Sequence, residues 1–256
     1  MSVYTTEIAS DKIASDNPIH QRLLKAYYAA KPYVKGKLLE LGCGEGRGVE
    51  LLAPMAESYQ GIDKIKGVID TLSKKYPDEN FQDGVFPPFP FESNEFDTVI
   101  TFQVIEHIKD DEQFVKEIHR VLKPGGRALI TTPNIKMTLS RNPWHIREYT
   151  SKELKDLCSK YFSMVEMKGI GGNEKVMEYY DRNKQSVDKI MRFDILDLQH
   201  KLPASLLRIP YEILNRLNRN KLKDTNDDLV KSITHEDFQV NAENERNLDL
   251  FCLLTK

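Results

Sequence analysis

Short apolar runs alternate with longer amphipathic segments between residues 37 and 172. The run Phe96–Phe102 is β-branched and aromatic, which is typical of a buried strand. Further short runs of this kind lie at Lys37–Leu41, 59–62, 81–82 and 127–132. Apolar residues recur every three or four positions over 110–122, which predicts a helix, and a second helix is predicted over 151–161 with Ser151 as its N-cap. Because strands that alternate with helices pack through right-handed crossovers, the pattern predicts an α/β fold with a mostly parallel sheet.

Two segments lie outside that alternation. A helix with one apolar face is predicted over 18–33, and residues 173–233 are helical and polar without a strand signal. The stretch 247–255 is predicted to be a terminal strand. We therefore expect four parts: an N-terminal helical cover for the substrate, a ligand-binding core, a helical insertion or lid, and a last strand that completes the core sheet. Their boundaries are predicted at 1–35, 36–172, 173–233 and 234–256.

Length and composition limit the class of protein. A chain of 256 residues fits one large domain with an elaboration. The formal net charge of −2 gives no reason to expect nucleic acid as a partner. No apolar run is long enough to cross a bilayer, and the first residues lack the basic and apolar stretches of a secretory leader. Cys43, Cys158 and Cys252 are too widely spaced for a zinc motif or a disulfide framework, so we expect a cytoplasmic enzyme.

A glycine-rich turn follows the first predicted strand. Gly42, Gly44, Gly46 and Gly48 open a strand-to-helix connection, where bare main chain allows a ligand to approach closely. Arg47 occupies the third glycine position of a dinucleotide-binding pattern that starts at Gly42, and no Gly-Lys-Ser/Thr follows. No motif for binding a pyrophosphate is therefore intact, which disfavours NAD and ATP as ligands.

Carboxylates end the second and third predicted strands. Asp63 lies 21 residues after Gly42, at the position from which a carboxylate reaches ribose hydroxyls. Asp83 follows 20 residues later, where it could accept a hydrogen bond from an adenine amine. Either residue alone would be an ordinary turn or cap. Their order with the glycine turn favours a nucleoside site.

The motifs LLELGCGEG, GIDK, FDTVITFQVIEHI and HRVLKPGGRALITTPN resemble those of class I S-adenosylmethionine-dependent methyltransferases, in particular the quinone-biosynthesis and sugar or natural-product branch. The resemblance implies a Rossmann-like, doubly wound, mostly parallel seven-stranded sheet with an antiparallel last strand and a helical insertion. It also implies conversion of S-adenosylmethionine to S-adenosylhomocysteine with a small-molecule acceptor. By the same resemblance Glu40, Gly42, Gly44 and Gln103 hold the methionine end of the cofactor, Asp63 the ribose, and Asp83 with Gly84 the adenine.

Methyl transfer needs alignment of donor and acceptor more than a conspicuous catalytic group. His107, just after the fourth strand, and His145 are the candidate bases, and Trp144 and Tyr28 are candidate substrate contacts. Some relatives bind a divalent cation through Glu-x-x-Glu-His at this place. Gln103 replaces the first glutamate here, so we expect no metal.

The basic segment 200–223 has two interpretations. It carries six Lys or Arg residues against Glu212 and is interleaved with apolar residues. Such a helix can lie on an anionic membrane, but the favoured expectation is a lid helix that packs its leucines on the core and leaves its arginines in water.

Rival functions are an NAD(P)-dependent reductase and a non-catalytic nucleoside-binding relative. The acceptor, the atom methylated and the oligomeric state stay open.

Overall fold

One eight-stranded sheet organises the computed structural model, which describes residues 13–256. The strands are β1 (Lys37–Leu41), β2 (Ser58–Asp63), β3 (Asn80–Asp83), β4 (Phe96–Phe102), β5 (Leu122–Pro133), β6 (Met164–Gly172), β7 (Phe238–Ala242) and β8 (Asp249–Thr255). Their order across the sheet is β3-β2-β1-β4-β5-β8-β6-β7. The first five pair in parallel, whereas β8 is antiparallel to both β5 and β6. The predicted Rossmann-like, mostly parallel sheet with an antiparallel last strand is confirmed.

The eighth strand is the difference from the expected seven. Strand β7 pairs only with β6, in antiparallel fashion, and forms an edge of the sheet. Phe238 is buried, but the residues that follow it are largely exposed. A short edge strand with one buried side chain carries little hydrophobic pattern, and for this reason its sequence gave no strand signal.

Helices cover both faces of the sheet. Those of the described residues are α1 (Asn17–Ala30), α2 (Val49–Leu52), α3 (Lys66–Lys75), α4 (Asp111–Val121), α5 (Ser151–Cys158), α6 (Glu174–Met191), α7 (Leu198–Lys201), α8 (Ala204–Thr225) and α9 (Asp227–Ser232). The periodic residues of α4, including Phe114 and Ile118, are fully buried against the sheet. Asp110 caps that helix by accepting a hydrogen bond from the Gln113 amide at 3.0 Å.

The predicted cap of α5 is wrong by one residue. Thr150 is extended and accepts a hydrogen bond from the Glu153 amide, while the Glu153 carboxylate accepts one from the Thr150 amide. Ser151 is already the first helical residue, so its hydroxyl cannot serve as the N-cap.

Helices α6 to α9 stand between β6 and β7, where the insertion was predicted. Helix α8 is clasped to the residues before α1, because Arg216 and Arg219 both pair with the fully buried carboxylate of Asp16. The expectation that the arginines of the basic segment lie in water is therefore wrong for Arg216 and Arg219, which face inward, whereas apolar residues such as Ile209 and Ile213 face solvent. The side of α8 that faces inward is set by its ion pairs with the buried Asp16 carboxylate, and the spacing of hydrophobic residues does not reveal such pairs.

Two findings concern the predictions about membranes and export. Within residues 13–256, no helix combines the length and the apolar character that crossing a bilayer requires. The prediction that the chain begins without a secretory leader falls on residues 1–12, outside the described part of the chain.

Candidate active site

The glycine turn after β1 exposes main chain to a cavity. Gly42, Gly44 and Gly46 all have a positive φ (77°, 49° and 79°), which side-chain-bearing residues rarely adopt. A Cβ at Gly42 would lie 2.4 Å from a Val104 methyl carbon, and one at Gly46 would lie 2.5 Å from Leu72. At Gly44 a Cβ would have no neighbour within 4 Å. Two of the glycines therefore shape the turn, and the third leaves bare backbone facing open space.

Asp63 holds that turn in place from the end of β2. Its Oδ2 accepts a hydrogen bond from the Gly44 amide at 2.9 Å, and its Oδ1 accepts one from the Ile65 amide at 3.0 Å. A carboxylate has about four lone-pair sites, so two amide donors leave capacity for a ligand hydroxyl. Asp63 is thus both a support of the glycine turn and a candidate ligand contact.

A cavity of about 560 Å³ opens between the ends of β1, β2 and β4. Six of the predicted site residues line it: Gly42, Gly44, Asp63, Gly84, Gln103 and His107. Glu40 and Asp83 do not line it, and Asp83 is exposed at the end of β3 beside Gly84. The carboxyl edge of the sheet thus gathers most of the predicted cofactor residues around one space, as Rossmann-like topology requires.

Glu40 lies behind the cavity wall. Its carboxylate is buried and accepts hydrogen bonds from the hydroxyls of Tyr27, at 2.7 Å, and Tyr59. Burial raises the pKa of Glu40 to about 7, against the lowering effects of both tyrosines and Arg47. Tyr27 itself lines the cavity. The role implied for Glu40 at the methionine end stays a prediction, and the observed geometry places Tyr27 in front of it.

A second cavity of about 270 Å³ adjoins the first. The two share three lining residues, Leu23, Gln103 and His107. Gln103 has a φ of 58°, in the left-handed region, which turns the chain sharply where β4 ends. The other walls of the second cavity are largely polar and aromatic; they include Arg22, Asn134, His145, Tyr179, Tyr211 and Arg219. A small organic molecule in this space would therefore meet the first cavity at His107.

His107 stands at the junction in a defined orientation. Its Nδ1 lies 2.9 Å from the Trp144 carbonyl oxygen, which can only accept, so Nδ1 carries a proton. The ring packs edge to face on His145, with centroids 4.9 Å apart. His145 donates from Nδ1 to Glu148 at 2.6 Å, and its Nε2 accepts from Asn142 at 2.8 Å. The Trp144 carbonyl thus fixes the orientation of the His107 ring, and both ring nitrogens of His145 are engaged.

Glu106, His107 and His145 form the one cluster among the described residues with metal-ligand spacing. Their candidate ligand atoms all lie within 4.8 Å of one another. Glu106 is buried, accepts a hydrogen bond from Thr132 at 2.9 Å, and has its pKa raised to about 7 by burial. Each of the three is hydrogen-bonded to a group outside the cluster: Glu106 to Thr132, His107 to the Trp144 carbonyl, and His145 to Asn142 and Glu148. The absence of a metal stays our prediction.

The two candidate substrate contacts lie elsewhere. Trp144 lines neither cavity; its indole nitrogen donates to Glu212 at 3.0 Å, and Arg208 lies 4.2 Å above its ring. It therefore anchors α8. Tyr28 stacks on His235 at 3.9 Å and also lies outside both cavities, since it is Tyr27 that faces the cofactor side. Substrate contact by either residue stays a prediction.

The sequence pattern missed several residues of the second cavity. Arg22 lines it and pairs at 3.3 Å with the buried carboxylate of Asp249 at the start of β8. Burial raises the pKa of Asp249, and the Arg22 charge opposes that effect. An aspartate at the head of an otherwise apolar terminal strand was the available signal, because such a position requires a partner when buried. Tyr211 and Arg219 had no comparable signal.

Comparison with known proteins agrees with this geometry. Residues 39–130 match a family described as a methyltransferase domain. A probable S-adenosylmethionine-dependent methyltransferase of Mycolicibacterium smegmatis is 40% identical over 126 residues, which are 47% of this chain and 49% of that protein. The chain thus spans about half the length of this relative. The ubiquinone biosynthesis O-methyltransferase of Pelagibacter ubique is 26% identical over 230 residues, 85% of each chain.

The fold has close counterparts among solved structures. A methyltransferase of Thermotoga maritima, described as a possible histamine N-methyltransferase, superposes with a TM-score of 0.60 at 15% identity, over 93% of this chain and 91% of that one. At such identity the likeness concerns the fold. Residues 39–130, which include the glycine turn facing the first cavity, are thus similar to the methyltransferase domain of S-adenosylmethionine-dependent enzymes.

Proposed function

We propose that the protein transfers a methyl group from S-adenosylmethionine to a small-molecule acceptor bound in the second cavity. The observation that carries the proposal is the pair of adjoining cavities, which share Leu23, Gln103 and His107. Adjacent sites for donor and acceptor are what an in-line displacement needs, because alignment alone supplies roughly 7 to 11 kcal/mol of barrier lowering.

The first cavity fits the cofactor. Bare backbone at Gly44 faces open space, and Asp63 keeps acceptor capacity beside it. Asp63 would hold the ribose, Gly84 with the exposed Asp83 the adenine, and Gln103 with the glycine turn the methionine end. S-adenosylmethionine bound there would supply an activated methyl group. The residues that line the second cavity would then exclude water and orient the acceptor.

The second cavity is suited to a small molecule with hydrogen-bonding groups. Its tyrosines offer flat apolar contact, and its asparagines and arginines offer donors. The Pelagibacter relative is named for O-methylation in ubiquinone biosynthesis. An oxygen nucleophile loses a proton on methylation, and His107 is an imidazole that lines both cavities, between the proposed donor and acceptor. We assign His107 as the base for such an acceptor, and His145 with Glu148 as the group that positions it through ring packing.

The cellular setting proposed is the cytoplasm. Cys43, Cys158 and Cys252 are free and buried, as in a reducing compartment. Nothing in the charge balance supports a nucleic-acid acceptor.

Calorimetry tests the proposal directly. S-adenosylhomocysteine should bind the purified protein, whereas NADH should give no heat. Asp63→Asn should weaken S-adenosylhomocysteine binding about tenfold, because one charge-assisted acceptor is lost. Asp70→Asn, which alters an exposed ion pair with Lys66, is the matched control and should bind normally. Binding of NADH in place of S-adenosylhomocysteine would support the reductase.

Turnover separates the enzyme from a non-catalytic relative. Purified protein with a methyl-labelled donor and a fractionated small-molecule extract should produce labelled metabolites. Protein that binds S-adenosylhomocysteine but labels no fraction would support a nucleoside-binding protein without turnover.

A further inference from the structure

The outward face of α8 is apolar along much of its length. Its residues Leu206, Ile209, Ile213 and Leu217, here called the outer stripe, recur every three or four positions and are 55% to 72% exposed. In the turn between α6 and α7, Phe193 and Ile195 are 87% and 88% exposed. Of the fifteen exposed large hydrophobic side chains among residues 13–256, nine lie between residues 193 and 217. Such a concentration marks an interaction surface, whereas scattered single residues would not.

The inward face fixes this orientation. Arg216 and Arg219 pair with the buried Asp16 at 2.8 and 3.1 Å, and Tyr211 lines the second cavity. Rotating α8 to bury the outer stripe would strand the Asp16 carboxylate without its partners, and an unpaired buried charge is strongly destabilising. The exposure of the stripe is therefore a built feature of the fold.

The charge around the stripe identifies what covers it. Of the five Lys or Arg side chains in residues 204–223, Arg216 and Arg219 pair inward with Asp16, and Lys223 pairs with Asp224 and Asp227. Arg208 and Lys221 remain, against the single acidic residue of that range, Glu212, which accepts a hydrogen bond from Trp144. Exposed basic side chains flank the apolar residues along the chain: Arg192, Lys201, Arg208 and Lys221. Apolar side chains with flanking cations complement an anionic lipid surface. Two copies of this face would instead place like charges opposite each other.

We propose that the outer stripe and the turn before α7 bind the surface of an anionic lipid bilayer. Helix α8 lies along the surface, its isoleucines and leucines enter the boundary between headgroups and acyl chains, and the flanking cations meet lipid phosphates. Because the other face of α8 lines the second cavity, that cavity comes to lie beside the bilayer. The proposal does not depend on the methyltransferase activity.

Vesicle sedimentation of the full chain tests it. The protein should sediment with vesicles of phosphatidylcholine and phosphatidylglycerol, only weakly with phosphatidylcholine alone, and less as salt is raised. Ile209→Ser with Ile213→Ser should weaken binding about tenfold or more, because two apolar side chains no longer enter the lipid. Lys201→Gln with Lys221→Gln should weaken binding to the anionic vesicles alone.

Met55→Ser with Met164→Ser, two exposed apolar residues outside the region, is the matched control and should bind as the unmodified chain does. Absence of binding, equal binding to both kinds of vesicle, or a stripe variant that binds like the control would overturn the proposal. So would a mass in solution of twice 29.6 kDa that falls to one chain in the stripe variant, because the face would then join two copies.

Discussion

The clasp between the residues before α1 and helix α8 gives the sharpest test of the fold around the second cavity. Asp16 is fully buried, and its Oδ1 lies 2.8 Å from Nη1 of Arg216 and 3.1 Å from Nη1 of Arg219. Asp16→Asn preserves the shape of the side chain and removes its charge. Two guanidinium groups then share a neutral amide.

The magnitude follows from burial. Removing one partner of a buried ion pair costs about 3 to 5 kcal/mol, because a charge remains without compensation. The Arg216 side chain keeps 27% of its exposure and can be rehydrated, whereas that of Arg219 keeps 10%. We therefore expect the lower end of that range, about 3 kcal/mol lost from the free energy of unfolding.

Urea denaturation followed by circular dichroism measures this loss, and amide hydrogen exchange shows whether α8 opens first. Asp70→Asn is the control and should be unchanged within error, since its pair with Lys66 is exposed on both sides. Combining Asp16→Asn with Arg219→Met should recover part of the stability, because the uncompensated charge is removed. A loss below about 1 kcal/mol in Asp16→Asn, with unchanged exchange in α8, would refute the assignment of the clasp.

Three further predictions concern the site. His107→Gln should lower kcat about 10²- to 10⁴-fold for a hydroxyl acceptor while S-adenosylhomocysteine binding, measured by calorimetry, changes little; loss of binding instead would assign His107 to the cofactor. Gly44→Ala should weaken S-adenosylhomocysteine binding with modest loss of stability, whereas Gly46→Ala should chiefly lower the melting temperature, because its Cβ meets Leu72; the reverse pattern would argue against a ligand at Gly44. Burial raises the pKa values of Glu40 and Glu106 from 4.5 to about 7, so the folded state binds these two protons more tightly than the unfolded chain does. The free energy of unfolding should therefore fall as the pH rises from about 4.5 to 7, by about 3 kcal/mol for each group. Urea titrations across that window would show it, and a flat profile would contradict it.

Much of the core could be predicted from the sequence because its signals are local. The periodicity of α4 and the glycine turn after β1 both follow from short-range patterns, and the parallel order of strands follows from their alternation with helices. The predicted cofactor residues converge because strand ends share one edge of the sheet. Glu40 and Asp83 are the exceptions: Asp83 is exposed beside the cavity, and the sequence gives no indication that Tyr27 and Tyr59 close over the Glu40 carboxylate.

The insertion was harder to predict for a physical reason. Periodicity shows that α8 has an apolar face, but which face turns inward depends on distant partners. Asp16 lies 200 residues before Arg216, and the side of α8 that carries its arginine partners is the one that faces inward. The position of Trp144 could not be predicted for a similar reason, because its hydrogen bond to Glu212 joins segments far apart in the chain.

The left-handed backbone of Gln103 limits how the passage between the two cavities can vary. A residue with a side chain pays torsional strain of order 1 to 3 kcal/mol at such a φ, and glycine pays almost none. Replacing Gln103 by glycine would therefore relax the main chain and at the same time widen the opening between the cavities. A β-branched residue would instead add backbone strain at this φ and leave the opening narrow. Under the proposed function, the range of acceptors and the local stability are consequently adjusted together at this single position.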